Sequence, residues 1–415
     1  MFKTYLRFEL TKRHARWPVW LLIVILTGLG IAGNFQQKAA QTAFLTKYRQ
    51  ALVKNGATKS KNPKTLGEKI FNPELQALST PKAYADWFKV ELQIAAGTRG
   101  SSQKNFGANY RFSILNGDQV PYSGVAKRTL TQYRLLDKKK LTGYYPQPIL
   151  FTKDELADMS AKNQRDIKTW FPTFYIRGFD YLQYLFQENV PFYLLLIAII
   201  ISGSFFAKEL ADKRAHANWL ILQGESLIEQ VWTQFLMIVG TMAEIIALPL
   251  VLTTIVVGLF RGFGSLQFPV LQETPNGIFG FTDSFTTNGK LLLTSGLLLL
   301  ALIAFTAALN VLAAYLIRNS WLTTAVVLLI TASAAIVPLT DWLPLSFFNV
   351  WHIADGSLAQ SVEMPELQLW SVIRTVIFWT IGILFVVHLL ILVNQKQLSK
   401  FWNRTTHRSA AESGS

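Results

Sequence analysis

The stretch PFYLLLIAIIISGSFFA, residues 191–207, decides the fold, because it contains no charged residue. A helix of this length is about long enough to cross a hydrocarbon core of roughly 30 Å. Backbone N–H and C=O groups find no water in lipid, so apolar stretches there are expected to be helices rather than open strands. Five further stretches have a similar apolar character, and they cover residues 17–34, 231–260, 291–316, 321–339 and 370–393.

The overall composition is typical of a membrane protein. Hydrophobic residues make up 51% of the 415 residues, and the mean hydropathy is +0.27. The chain has no cysteine, which excludes disulfides, thiolate zinc sites and a cysteine nucleophile. A large domain outside the membrane without disulfides suits a bacterium with a single membrane better than a eukaryotic secretory route.

Basic residues predict the orientation of the spans. The net charge is +15, and Lys and Arg concentrate before the first span, between the second and third spans, at Arg318 and after the last span. The opposite short loops and span edges hold only Arg261, Lys290 and Arg374. The positive-inside rule then predicts a multi-pass protein of the bacterial plasma membrane with both termini in the cytoplasm. Charges placed beside spans favour membrane lipid as a partner, and not nucleic acid.

The expected fold class is an all-α polytopic membrane protein. It has six transmembrane helices and a mostly helical extracytoplasmic domain between helices 1 and 2. Residues 1–16 mix apolar and basic side chains, which predicts a cytoplasmic amphipathic helix in the interface, or a basic anchor that only sets topology. Residues 17–34 are expected to remain as the first span rather than to be cleaved as a signal peptide, because a helical pattern runs on to Ala51.

The remaining domains follow from the spans. Residues 35–189 form the extracellular domain, residues 190–393 carry helices 2–6 with a cytoplasmic segment, and residues 394–415 form a cytoplasmic tail. Within the extracellular domain, Thr152 and Glu155 have the spacing of a helix capping box. Pro172 is expected to kink or divide a helical pattern over 163–187. This domain holds 24 Lys and Arg against 12 Asp and Glu, which favours contact with an anionic surface, or simply a solvated face.

The sequence offers no catalytic motif. It lacks the Gly-rich phosphate loop of nucleotide hydrolases, so the chain is not expected to hydrolyse nucleotide by itself. The histidines are scattered, which predicts no metal site, and no Ser, His and Asp show a spacing that indicates a catalytic triad. We therefore expect no enzyme activity and no cofactor in this chain.

The most informative polar stretch is the cytoplasmic segment 208–230. It begins with charged residues, including Glu209, and continues into a short apolar patch: Trp219, Leu220, Ile221 and Leu222. Gly224 interrupts the patch, and Ser226 is placed to cap the next helix. Such a segment predicts a short helix across the inner face whose patch enters a groove of a cytoplasmic partner. The alternative is a solvated loop with one apolar anchor.

The span layout and this segment together resemble the permease subunit of type-2 ABC exporters, in the branch with a large external domain after the first span. Phe205, Phe206 and Glu209 stand where that family has an aromatic stretch and an acidic residue before its coupling helix. Leu343-Pro344-Leu345 resembles the Pro-bearing turn after its fifth span. The family's Gly-Thr before the patch and its Pro after it are replaced here, so the motif is degenerate.

The resemblance implies that transport and ATP hydrolysis are carried out by different subunits. ATP and Mg would bind in a separate cytoplasmic ABC ATPase, which contacts Glu209 and the patch at 219–222. Two permeases, as a homodimer, would work with two ATPases and export an amphiphilic substrate such as a peptide antibiotic, lipid or drug. The alternative is a non-transporting membrane sensor or scaffold, whose external domain binds a surface ligand and signals to a cytoplasmic partner.

Glu244 and Asn310 are the two polar residues inside predicted spans that are candidates for a translocation path. Glu244 is near the middle of the third span, and a carboxylate in lipid is costly unless it is protonated or paired. It is either a translocation-path residue or a protonated group that hydrogen-bonds a neighbouring helix. Asn310 lies near the inner end of its span. It either belongs to the translocation path or forms a hydrogen bond between helices.

Overall fold

The computed structural model describes residues 17–58, 62, 64–95, 123–146, 148–211, 226–276 and 281–412. The described chain is mostly helical. Its helices before the first strand are α1 Trp17–Lys54, α2 Leu66–Ala77, α3 Pro81–Ala95, α4 Ser123–Lys138, α5 Lys153–Ala157, α6 Ala161–Trp170, α7 Gly178–Gln187, α8 Val190–Ser202, α9 Phe205–Ala211 and α10 Leu227–Arg261. Strands β1 Pro269–Pro275 and β2 Phe281–Thr287 follow, and then α11 Asn288–Ile317, α12 Ser320–Ala332, α13 Val350–Ala354, α14 Ser357–Ser361 and α15 Leu369–Glu412.

Among the residues that the structure describes, five helices are long and apolar enough to cross a membrane. They are Trp17–Lys54, Val190–Lys208, Leu227–Arg261, Asn288–Ile317 and Leu369–Val393. The expectation of a membrane protein built from long apolar helices is therefore confirmed. The fifth predicted span, at 321–339, differs, because its apolar helix covers only Ser320–Ala335 and ends in a 3-10 turn. At 1.5 Å per residue this helix is about 24 Å long, and Pro338 follows shortly after it.

The all-α expectation is wrong for residues 269–287. β1 and β2 form an antiparallel pair in which Val270 faces Thr286 and Leu271 faces Phe285. β-branched and aromatic side chains favour this extended pairing. The sequence indicates only a short outer segment rich in Gly, Phe and Thr between the third and fourth predicted spans, and it does not predict the two strands.

The hairpin and several other segments gather at one end of the long helices. Glu273 in β1 donates its backbone N–H to the carbonyl of Asp355 at 2.8 Å, which joins the hairpin to the segment after α12. Gly178 at the start of α7 donates to the carbonyl of Gly262, just after α10, at 3.0 Å. The insert after the first predicted span and the two short segments expected on the outer side thus meet at the same end, which we call the outer end.

The insert has a hydrophobic core of its own. Its fully buried side chains come from α1, α2, α3 and α4, and they include Leu52, Phe71, Leu92 and Val125. A second, larger core runs through the long helices and continues into α7 and the outer segments. Helix α1 belongs to both regions, because its first half is the predicted span and its second half carries Tyr48 and Leu52 into the core of the insert.

Local signals in the insert are confirmed. Glu155 donates its backbone N–H to the Thr152 hydroxyl at 3.2 Å, and its carboxylate accepts from the Thr152 backbone at 2.8 Å, so the capping box forms. The chain between α6 and α7 is irregular, and Pro172 lies there as expected for a divided helix. Residues 1–16, expected as an interfacial helix, lie outside the described residues. Helix α15 continues past the predicted end of the last span to Glu412.

Small residues let α1 approach α10 and α7 closely. A side chain at Gly30 would meet the Thr253 hydroxyl at 2.6 Å, and one at Gly33 would meet the Tyr181 hydroxyl. The Thr253 hydroxyl also donates to the Thr27 carbonyl at 3.4 Å. Close approach of this kind is how helices associate in lipid, where apolar surface alone gives no driving force.

Candidate functional sites at the two ends of the helices

The first candidate site is the inner segment expected to contact an ATPase. Helix α9 contains Phe206, which is fully buried, and also Glu209, whose side chain is not among the described ones. Trp219, Leu220, Ile221 and Leu222 lie outside the described residues, within 212–225. The structure therefore describes the residues on either side of the segment, which we call its anchors, but not the patch itself.

Both anchors are well defined. After the segment, the Ser226 hydroxyl accepts from the backbone N–H of Glu229 at 3.2 Å, and the Glu229 carboxylate accepts from the backbone N–H of Ser226 at 3.1 Å. This capping box confirms the predicted role of Ser226. Before the segment, α9 packs against α11 and α12, which meet at the turn around Arg318. Ala211 and Ser226, which flank residues 212–225, therefore lie at the end of the helices opposite the outer end.

Asn310 lies where α8 gives way to α9. Its side-chain amide is fully buried and donates to the Gly203 carbonyl at 3.3 Å. The chain breaks its regular helix at Gly203, so this carbonyl has lost its normal partner in the helix. Asn310 thus joins α11 to the break between α8 and α9, which is a structural hydrogen bond between helices.

Glu244 lies on α10 and is half-buried. Among the described residues, no hydrogen bond joins Glu244 to Asn310, because the Asn310 amide donates to Gly203 instead. A role for either residue in a translocation path stays a prediction.

The second candidate site is a cavity of ≈ 260 Å³ at the outer end. It lies where the insert, α7, strand β1 and the segment after α12 meet, and residues from all four line it. Amides from Gln132 and Gln183, which are almost fully buried, contribute polar groups. Concave sites that combine apolar walls with a few placed polar groups are typical ligand sites.

Aromatic rings form one wall of this cavity. Tyr144 contacts Phe268 with ring centroids 4.6 Å apart and Tyr175 at 5.3 Å. The Tyr144 hydroxyl donates to the Gln183 side chain at 3.2 Å. Burial raises the pKa of Tyr144 and of Tyr175 well above the ordinary value, and the charge of Asp180 adds to the rise. Both phenols therefore stay neutral at physiological pH.

Carboxylates lie at another side of the cavity. Glu273 on β1 is 5% exposed, and its backbone is joined to Asp355 as described above. Asp355 accepts the backbone N–H of Ser357 at 2.9 Å and lies 3.6 Å from Nδ1 of His352. Of the described residues that line the cavity, none is Lys or Arg.

His352, Asp355 and Ser357 are a cluster that the sequence analysis did not identify. The Ser357 hydroxyl lies 3.0 Å from Nδ1 of His352, which is the same ring nitrogen that faces Asp355. A Ser–His–Asp relay needs the Ser and the Asp on different ring nitrogens. The cluster therefore does not have the geometry of an activated nucleophile. The short spacing of these three residues around Gly356 was the only available signal in the sequence.

No protein-family model, no curated protein and no solved structure matches this chain. What the two sites do is therefore argued from their residues and geometry.

Proposed function

We propose that the chain is the transmembrane subunit of an ATP-driven exporter, with ATP hydrolysis in a separate cytoplasmic ABC ATPase. The observation that carries this proposal is the pair of anchors around residues 212–225. Phe206 is fully buried before this segment, and the Ser226 capping box forms after it. In the proposal, the apolar patch at Trp219–Leu222 lies between these two anchors, at the inner end of the long helices. A patch held in this way can dock in a groove of a partner and transmit its movement to α8 and α10.

The connections between helices support six crossings, although in the described part of the chain five helices are long enough to cross a membrane. α12 starts beside the inner end of α11, and the chain after it returns to the outer end, where Phe348 contacts Phe192 at the start of α8. The shorter helix and the 3-10 turn at Ser333–Ala335 therefore cross together in this proposal. Both termini then lie in the cytoplasm of a bacterium, as the placement of basic residues predicts.

The partners follow from the same proposal. A homodimer of this chain binds two ATPase subunits, which hold ATP and Mg between them. Closure of the ATPases pushes the segment 212–225 and opens a path outward for an amphiphilic substrate such as a peptide antibiotic, lipid or drug.

The test is to look for a P-loop ATPase encoded by a neighbouring gene and to measure its association with this chain. Trp219→Ala and Leu222→Asp are expected to reduce co-purification of the ATPase, and its stimulated ATP turnover, at least about tenfold, because each change removes apolar contact from a docked patch. Membrane insertion and yield should not change. Trp321→Ala is the matched control, since Trp321 is 87% exposed and lies at the inner start of α12 outside the segment. Normal association of both patch variants would refute the coupling role.

A second candidate function is a membrane sensor or scaffold. The outer cavity favours it, because a lined site at the junction of the insert and the long helices suits a bound surface ligand. In that case the chain purifies without an ATPase, and the patch variants retain normal behaviour.

A further inference from the structure

We infer that the C-terminal end of helix α4 is a docking surface for the head groups of anionic phospholipids in the outer leaflet of the membrane. Its cations are Arg134 and Lys138 near the end of α4 and Lys139 and Lys140 directly after it, and we call them the basic end of α4. The inference rests on the membrane crossing of the long helices and not on the proposed export. It gives the basic surplus of the insert a position and a partner.

The basic end of α4 lies against the loop that joins two long helices. Lys139 donates from Nζ to the carbonyl of Gln267 at 3.2 Å. Leu266, the preceding residue, accepts the backbone N–H of Gly289 at 2.7 Å, and Gly289 is the second residue of α11. Helix α11 is long and apolar enough to cross a membrane. The Lys139 ammonium group therefore lies at the level where α11 begins at the outer end.

Apolar side chains mark the edge of the membrane beside this loop. Leu259 and Phe260, at the end of α10, are 73% and 79% exposed, which is unfavourable in water but not in lipid. The charged residues Arg261 and Lys290 follow at the ends of α10 and α11 that this loop connects. The hydrocarbon core therefore ends near these two residues, and the head-group region extends about 5–8 Å beyond it. Lysine side chains that start beside Gln267 reach that region.

The cations at this end of α4 have no counter-charge from the chain. Arg134, Lys138 and Lys140 are exposed, and within the described ranges no carboxylate lies within ion-pair distance of any of them. Asp137, the acidic residue within 134–140, pairs with Lys89 instead. Anionic head groups supply the missing charge, and each Lys or Arg near an anionic membrane surface strengthens the attraction about fivefold.

The backbone fixes the position of these lysines. Leu141 donates its backbone N–H to the Leu136 carbonyl at 2.9 Å, and Lys140 donates to the Asp137 carbonyl at 3.1 Å, which closes the helix with Lys140 at a φ of +53°. Leu136 and Leu141 both contact the core of the long helices. The helix dipole also favours lysines in a last turn, but it does so in any lipid. A dependence on anionic lipid therefore distinguishes docking from a purely local role.

Photo-crosslinking in nanodiscs tests the inference. The full chain is placed in phosphatidylcholine nanodiscs that contain a small fraction of one probe lipid, either phosphatidylglycerol or phosphatidylcholine, with a photoreactive head group. Peptide mapping measures the label on residues 134–142. We expect phosphatidylglycerol to label these residues at least about tenfold more than phosphatidylcholine, and high salt to reduce the difference. Equal labelling by the two probes, or no label on these residues, would overturn the inference.

Variants locate the surface. Lys138→Gln combined with Lys140→Gln is expected to lower the ratio of phosphatidylglycerol to phosphatidylcholine label at least about fivefold, while Lys139 is kept because it contacts the loop. Lys64→Gln combined with Lys69→Gln is the matched control, since it removes the same charge from exposed residues around the start of α2, beside the far end of α1. Thermal unfolding shows whether each variant is folded. An unchanged ratio in the folded Lys138 and Lys140 variant would contradict the surface.

A soluble polyanion is the other occupant that exposed cations can take. Binding of labelled inorganic polyphosphate to the full chain is therefore measured in phosphatidylcholine nanodiscs. If polyphosphate binds through Lys138 and Lys140 while phosphatidylglycerol does not label residues 134–142, the occupant is a soluble polyanion and the inference is wrong. The ATPase-association test uses other residues at the opposite end of the helices, so failure of one proposal is distinguishable from failure of the other.

Discussion

Gly356 lies where the segment after α12 comes into close contact with the hairpin. Its φ is +82°, and a Cβ there would lie 1.8 Å from the carbonyl oxygen of Glu273. We expect Gly356→Ala to lower the free energy of unfolding by more than about 2 kcal/mol, because the backbone of β1 must move as well as the strained residue. Thermal unfolding in nanodiscs measures this loss.

Gly262 provides the control for the close approach. Its φ is +83°, but nothing lies within 4 Å of the position of its Cβ. Gly262→Ala is therefore expected to cost only the backbone strain, about 1–3 kcal/mol, because its ψ of 149° at positive φ is a conformation that few residues except Gly adopt. A loss of about 1 kcal/mol or less in Gly356→Ala would show that the contact between Gly356 and β1 does not form.

Asn310 gives a second prediction at the scale of one residue. Asn310→Ala removes the donor for the Gly203 carbonyl and is expected to destabilise the protein by about 0.5–2 kcal/mol. Thr306→Ala, one turn earlier on α11, is the comparison, because the Thr306 hydroxyl only donates back to Leu302 on its own helix. If Thr306→Ala lowers the unfolding temperature as much as Asn310→Ala, the hydrogen bond from Asn310 to Gly203 does not stabilise the protein more than a bond within one helix.

Among the elements, α1 depends on one neighbour in the membrane. In its apolar part only 17% of the residues are buried, and that part packs on α10. Gly30→Leu is expected to separate the two helices, because a side chain there overlaps Thr253. The chain has no cysteine of its own, so a Thr27→Cys and Thr253→Cys pair reports the separation as lost disulfide cross-linking.

Gly28 is the matched position on the same helix. Nothing lies within 4 Å of the place where its Cβ would be, so Gly28→Leu adds apolar surface without meeting α10. We expect cross-linking at 27 and 253 to stay at the level of the parent pair. Loss of cross-linking in Gly28→Leu, or its retention in Gly30→Leu, would contradict the packing described for α1.

Elements differed in how well their sequence signals predicted them. The apolar runs predicted the five long helices, and the Thr152 and Ser226 capping boxes formed where their spacing indicated. Such signals are local, because they depend on residues three or four positions apart. The sequence did not predict the hairpin, because each strand is only seven residues long. In so short a run next to Gly and Pro, the alternation of apolar and polar side chains is not clear.

At the scale of the whole molecule, Arg128 joins the insert to the hairpin. Its guanidinium donates to Glu155 at 2.7 and 3.0 Å and to Asp283 at 2.7 Å, and its side chain is 12% exposed. Arg128→Ala leaves two carboxylates facing each other without their cation. We expect a loss of about 3–5 kcal/mol, with faster amide hydrogen exchange in β2 and α5.

An ion pair inside the insert is the control for Arg128. Lys89 pairs with Asp137, whose side chain is 58% exposed, so Lys89→Ala is expected to cost at most about 1 kcal/mol. Exchange in β2 should not change in that variant. If exchange in β2 is as slow in Arg128→Ala as in the parent chain, the insert is held to the hairpin by other contacts.

Neither candidate site was fully visible in the sequence. Glu209 and the patch at 219–222 were found because they are neighbours in the chain. The outer cavity was not, because it joins Gln132, Glu273 and Asp355, which are far apart in sequence and show no shared periodicity. The same holds for Arg128 and Asp283, which are 155 positions apart. Contacts of this kind depend on how the helices pack, which a single sequence does not specify.

The unbroken course of α1 has a mechanical consequence. Its 38 residues make a rod about 57 Å long, and Asn34, near its middle, donates to the Ile176 carbonyl beside α7. The arms on either side of Asn34 are nearly equal, at about 25–30 Å each. A tilt of about 10° around that point would move Trp17 and Lys54 by about 5 Å in opposite directions. Helix α1 thus connects the end of the long helices opposite the outer end to the core of the insert, so a tilt of one half would displace the other half.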